Sequence, residues 1–130
     1  MAKNAKNFEK REWGNFTVLN ELKNQGKSED VVIKRLEVAP GKRLSYQTHK
    51  LRDEHWFVVS AQGFAVINDE YIPLFPGVSV DIKIGDRHRL DNKTGTNKLI
   101  VFEIITGSFD EHDIERIEDD FGRDSSWQNQ

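Results

Sequence analysis

Between residues 46 and 56 the chain reads YQTHKLRDEHW, which places Gln47, His49, Glu54 and His55 within nine positions of one another. All four side-chain types can ligate a metal ion, and Lys50 and Arg52 stand among them as cations suited to an anionic group. Further on, GDRHRLDN adds His88 behind a glycine turn. Cysteine is absent, which excludes disulfides, Cys-type zinc sites and thiol catalysis, so any metal would be held by nitrogen and oxygen alone. Residues two apart in a strand share a face. Gln47 and His49 are therefore expected to project together, with Glu54 opening the next strand beside them after a turn through KLRD. Glu54, Trp56 and Val58 would face one way and His55, Phe57 and Val59 the other, which leaves His55 outside the ligand set.

The elements that must carry these residues are strands. From Val31 onward, short apolar runs alternate with polar positions and are cut by turn signals, as in VVIKRLEV, LSYQTH, HWFVVS, FAVI, YIPLF, SVDIKI, HRL and KLIVFEIIT. This spacing predicts about nine to eleven strands and an all-β barrel or double-sheet jelly roll. One segment reads differently: SFDEHDIERIEDDFGR offers Ser108 and Asp110 as caps and spaces Ile114 and Ile117 three apart. That pattern predicts a short C-terminal helix with His112 on its exposed face. NELKNQGKSED reads as a loop or polar hairpin, and DSSWQNQ as a frayed tail that Trp127 could anchor.

At 130 residues the chain is expected to form one domain, 1–130, with no internal repeat or linker. Its formal net charge of −3 and scattered basic residues lack the electrostatic footprint of a nucleic-acid binder. No apolar run approaches 18 residues and no apolar segment follows the N-terminal lysines, so no membrane partner is expected and the location is read as cytoplasmic. Open sheet edges need covering, which makes a homodimer the expected assembly.

Gly41, five residues, Gln47-x-His49, four residues and Glu54 together resemble the first cupin motif, with Gln in the place of its first His. Gly77, five residues, Lys83, one residue, Gly85, two residues, His88, three residues and Asn92 resemble the second, with Lys83 where Pro is usual. The likeness narrows to the cupin domain at the C-terminus of type II mannose-6-phosphate isomerase/mannose-1-phosphate guanylyltransferase enzymes and to small stand-alone isomerases. It is carried by REWGNFTVL (Arg11, Trp13, Gly14), KRLEVAPGKRLSYQTH, RDEHWFVVS, HRLDN, VFEIITGSF and DIERIEDDFGR, over roughly residues 11–123. The chain departs from that pattern at Leu51, where the family has a second His, and at Glu12, Ala61 and Phe121, where Pro, Gly and Tyr are common.

The resemblance implies a cupin double-stranded β-helix, a jelly-roll barrel, with a divalent metal held by Gln47 through its side-chain oxygen, His49, Glu54 and His88. Zinc, manganese, cobalt, nickel and iron all fit such a set. The implied activity is metal-dependent interconversion of mannose 6-phosphate and fructose 6-phosphate through an enediolate, supplying nucleotide sugars for polysaccharide synthesis. Arg52 and Arg123 would meet the phosphate, with Arg11 and Lys50 as further candidates. For proton transfer, Glu103, His55 and the tail acids Asp119 and Asp120 could each serve as the catalytic acid–base group, and the sequence does not choose among them. No Gly-rich phosphate loop occurs, so guanylyltransferase activity is not expected. Two rival readings are a non-catalytic cupin that binds a sugar or sugar nucleotide, and an isomerase or epimerase of a different sugar. For Arg52 the bland alternative is a surface ion pair with Asp53 or another strand acid, and for Trp13 and Trp56 it is core packing.

Overall fold

The computed structural model describes residues 7–24, 27, 29–60 and 62–123; Ala61, Trp127 and the rest of the expected frayed tail lie outside them. Twelve strands form among the described residues: β1 (Phe8–Arg11), β2 (Gly14–Leu22), β3 (Asp30–Val38), β4 (Lys42–Arg43), β5 (Tyr46–Thr48), β6 (Arg52–Ser60), β7 (Gly63–Ile67), β8 (Glu70–Leu74), β9 (Ser79–Ile82), β10 (His88–Asn92), β11 (Leu99–Gly107) and β12 (Glu115–Glu118). One sheet runs β1-β2-β3-β11-β6-β9 and the other β12-β5-β10-β7-β8, with β4 pairing β10. Every paired neighbour is antiparallel. This is the jelly-roll barrel expected from the strand spacing. No helix among the described residues is long and apolar enough to cross a membrane.

Alternation along each strand sends every second residue inward. In β11, Leu99, Val101, Glu103 and Ile105 are buried while the residues between them are not fully so, and in β6 the same holds for Glu54, Trp56 and Val58. One end of the barrel is filled by Leu36, Val38, Val58, Ala65, Leu90, Leu99 and Val101, with Trp13 and Phe16 packed against them. Burying such side chains contributes about 1.5–3 kcal/mol each. At the other end the inward positions turn polar. Lys34, Glu103 and Trp56 stand in register across β3, β11 and β6.

Two turns fix how the strands meet. Asn68 and Asp69 both have positive φ, 48° and 72°, and join β7 to β8 as a two-residue hairpin whose twist matches the strands. Gly85, at φ 88°, donates its backbone N–H to the carbonyl of His49 at 2.9 Å. A left-handed glycine there links the turn before β10 to the end of β5, so the two stretches that carry candidate ligands are held together.

The expected C-terminal helix does not form. Asp110 instead closes a local turn, its Oδ1 accepting the N–H of His112 at 2.9 Å and its carbonyl that of Asp113 at 3.0 Å. The Asp113 carboxylate accepts the backbone N–H groups of Lys50 and Leu51 at 2.9 and 3.0 Å. Such side-chain bonds to backbone compete with helix formation. The following residues then pair as β12 on the open edge of β5, satisfying backbone groups that an edge leaves bare. Ile114 and Ile117 read as one helical face, but Ile114 and Arg116 line the interior while Ile117 is exposed, the period of a strand. His112 is exposed as expected, on a turn rather than a helix.

Candidate metal centre

His49 follows β5, Glu54 lies in β6 and His88 opens β10, so the two sheets bring His88 up to the pair His49 and Glu54, which lie close to each other far earlier in the chain. Their ligand atoms lie within 4.8 Å of one another and all three side chains are buried. His49 Nε2 is 3.3 Å from Glu54 Oε2, and His88 Nε2 is 3.5 Å from Glu54 Oε1. Ligands about 2.1 Å from a tetrahedral ion stand about 3.4 Å apart, so these edges fit a first-row divalent metal.

The imidazoles are oriented for that role. His49 Nδ1 donates to the carbonyl of Asp113 at 2.6 Å, and His88 Nδ1 donates to the carbonyl of Asp86 at 2.9 Å. With Nδ1 protonated, each Nε2 turns a lone pair toward Glu54, and the backbone bonds act as the outer shell that fixes tautomer and ring. Burial, followed by the charges of Arg52 and His88, pulls the His49 pKa down to about 3. Burial also lowers that of His88. Both rings are neutral at pH 7, the form in which an imidazole can ligate a metal.

Gln47 pairs across from His88 and lines the same cavity. Its Nε2 donates to Ser45, 3.2 Å from Oγ and 3.4 Å from the carbonyl, which leaves the carboxamide oxygen as its available ligand atom. Arg52 covers the cluster. Its guanidinium is 3.0 Å from Glu54 Oε2 and 3.1 Å from His49 Nε2, and it stacks 5.1 Å over the Phe109 ring. It makes no surface pair with Asp53, whose Oδ1 accepts the N–H of Ile84.

The cluster opens into a cavity of about 370 Å³ between the sheets, lined also by Trp13, Trp56, Lys34, Glu103, Arg11, Arg116 and Arg123. Glu103 is buried, accepts the indole N–H of Trp56 at 3.0 Å, and lies beside Glu54. Burial, then the Glu54 charge and a hydrogen bond to Glu54, push its pKa up to about 7. Arg11 and Arg123 reach the cavity already paired, Arg11 with Glu9 at 2.7 Å and Arg123 with Asp119 at 2.8 Å.

Several candidates lie elsewhere. Lys50 is exposed and is not among the lining residues; its N–H is tied to Asp113 at the mouth of the tail turn. His55 faces outward and pairs with Asp81 at 2.7 Å, and Asp120 pairs with Arg43 at 2.8 Å. Asp119 is spent on Arg123. Leu51 is half exposed and does not line the cavity, and Phe121 packs on the edge of the core, so neither departure from the family pattern falls on the lining. The sequence reading missed Lys34, Arg116 and His112, which line the cavity. Alternation from Leu36 would have pointed Lys34 inward, but Arg116 becomes visible only once the tail is a strand.

A barrel of two antiparallel sheets with a His/Glu/His cluster in its mouth defines a cupin. The chain belongs to the family described as mannose-6-phosphate isomerase C-terminal, whose model matches residues 2–119. It is 42% identical over 92 residues to the alginate biosynthesis protein AlgA of Pseudomonas aeruginosa, covering 70% of this chain and 19% of that protein. It is 36% identical over 114 residues to the mannose-1-phosphate guanylyltransferase ManC of Salmonella typhimurium, covering 87% of this chain and 22% of that protein. The chain thus spans about a fifth of the length of these relatives. Among solved structures, the capsular polysaccharide assembling protein CapF of Staphylococcus aureus superposes with a TM-score of 0.68 at 21% identity, over 85% of this chain and 34% of that one. KdgF from Halomonas sp. superposes with a TM-score of 0.65 at 14% identity, over 80% and 88%. These two likenesses speak to the fold alone.

Proposed function

We propose that this cupin is a divalent-metal-dependent aldose–ketose isomerase of hexose phosphates, with mannose 6-phosphate and fructose 6-phosphate as its substrate pair. The observation that carries the reading is the convergence of His49, Glu54 and His88 at metal-ligand separations beside the buried carboxyl of Glu103. His49, Glu54 and His88, with Gln47 as the fourth donor, would hold zinc, manganese, cobalt, nickel or iron, which when bound polarises the sugar carbonyl and its neighbouring hydroxyl.

Isomerisation moves the C2 proton of the aldose to C1 while the O2 hydroxyl proton passes to O1, leaving C2 as the carbonyl. Glu103 is suited to the carbon-to-carbon transfer. A carboxyl that titrates near neutrality can accept a proton and give it back. Trp56 fixes its orientation through the indole N–H, and Arg52 holds Glu54 in place from the other side. Trp13 and Phe16 line the same cavity and would put apolar surface beside the enediolate. A homodimer belongs to the same proposal, since β1 and β9 end one sheet among the described residues.

The test is a coupled assay of mannose 6-phosphate to fructose 6-phosphate on protein of known metal content. Turnover should follow metal occupancy and vanish in Glu54→Ala. Metal bound stoichiometrically with no turnover of any hexose phosphate would defeat the substrate assignment and favour a sugar-binding module.

A further inference from the structure

We propose that the cavity contains an anion subsite centred on Arg116, which takes the phosphoryl group of the sugar phosphate. This rests on the sugar-phosphate reading above and assigns the phosphate to a residue outside the four cations that the sequence offered for it.

The argument starts from register. Arg116 in β12 is paired directly with Gln47 in β5, and Gln47 with His88 in β10. Opposed residues on antiparallel strands project to the same face. Arg116, Gln47 and His88 therefore form one row across the sheet, all three on the cavity wall. Two strand spacings separate the ends of that row, roughly 10 Å between backbones. A linear or ring-opened hexose phosphate lying along the row would present its carbonyl end to the His/Glu/His cluster and its phosphate to Arg116.

Partnering then singles out Arg116. Arg52 is committed to Glu54 and His49, Arg123 to Asp119, and Arg11 to Glu9. Arg89 also has an unpartnered nitrogen, but its guanidinium is anchored by the Leu44 carbonyl and by Glu118 at 2.7 Å. Arg116 has no such anchor among the described residues. Its Nε is buried without a hydrogen-bond partner among the described residues. Burial and the positive charges of Arg123 and Arg11 work against its own charge, with Asp119 as the favourable neighbour. A planar fork of donors in a region of surplus positive charge is complementary to the oxygens of a phosphoryl group. The same geometry gives the tail a purpose, because Arg116 enters this row only when residues 115–118 pair as a strand.

Titration of inorganic phosphate into the full chain, followed by the ¹⁵N resonances of the arginine Nε–H groups, tests the subsite directly. Phosphate should shift the Arg116 resonance in the wild-type chain. Its affinity should fall about 10-fold or more in Arg116→Gln and by less in Arg116→Lys. Fructose 6-phosphate should behave as phosphate does, and fructose should not. An unmoved Arg116 resonance, or phosphate affinity in Arg116→Gln equal to wild type, would overturn the subsite. Phosphate binding at Arg116 without turnover would keep the subsite and remove the isomerase; turnover with an unchanged KM in Arg116→Gln would do the reverse.

Discussion

The two ends of this barrel are built from the same strands and differ in what the strands send inward. Along β11 the inward residues Leu99 and Val101 belong to the apolar end, and Glu103, two positions on, belongs to the cavity. Along β6 Val58 and Glu54 divide in the same way, with Trp56 between them shared by core and cavity, and along β3 Leu36 is likewise shared while Lys34, two positions away, belongs to the cavity. The change from core to site therefore occurs within one or two pleat repeats of continuous strands. Stability can be drawn from one end while the other holds buried polar groups, each costly unless partnered. The imidazoles meet backbone carbonyls, Glu54 meets Arg52, and Glu103 meets Trp56; Arg116 Nε is the exception, buried without a partner among the described residues.

If that division is right, a cavity at the apolar end should cost stability and spare metal binding. Leu99→Ala should destabilise the chain by about 2–5 kcal/mol in chemical denaturation, because Leu99 is fully buried, with metal affinity unchanged in the folded protein. A large loss of metal affinity in that variant would show the two ends to be coupled. Glu54→Ala should do the opposite, weakening metal binding by more than the roughly 10–100-fold that loss of an outer-shell partner costs, as read by competition with a chelator.

The polar end should also leave a pH signature. Glu103 titrates near 7 in the folded chain against 4.5 for the free side chain, so the folded state binds the extra proton between those values. The Glu103 contribution to the stability of the metal-free protein should therefore fall as pH rises from about 4.5 to about 7, at up to about 1.4 kcal/mol per unit, and level off above. Glu103→Gln should lack that slope. The lowered His49 and His88 pKa values act in the other sense, losing stability as pH falls below 6.5. The difference between the two chains isolates Glu103; parallel curves would contradict its placement. The smallest effect belongs to Leu51→His, which restores the family's residue. Because Leu51 is half exposed and off the cavity wall, stability should change by less than about 0.5 kcal/mol and metal affinity not at all.

The apolar–polar alternation made most of this legible. Gln47 and His49 on one face, Glu54 with Trp56 and Val58, and His88 behind Gly85 could all be read from strand period and spacing, as could the outward turn of His55. Cross-strand register could not be read. Nothing local to Arg116 announces that β5 has a free edge for it to join, and the three-residue spacing of Ile114 and Ile117 argues for a helix until Asp110 and Asp113 are seen to bond backbone. The placement of Lys50, outside the cavity lining, was illegible for a related reason. It sits in the turn between β5 and β6, where alternation no longer says which way a side chain points.

The most direct test of the metal centre is titration of cobalt(II) into the metal-free chain, with X-ray absorption of the one-equivalent sample. One ion per chain, with a shell of two imidazoles and oxygen donors that loses its carboxylate in Glu54→Ala, is the expected result. No stoichiometric binding, or a shell without histidine, would contradict the assignment of His49, Glu54 and His88.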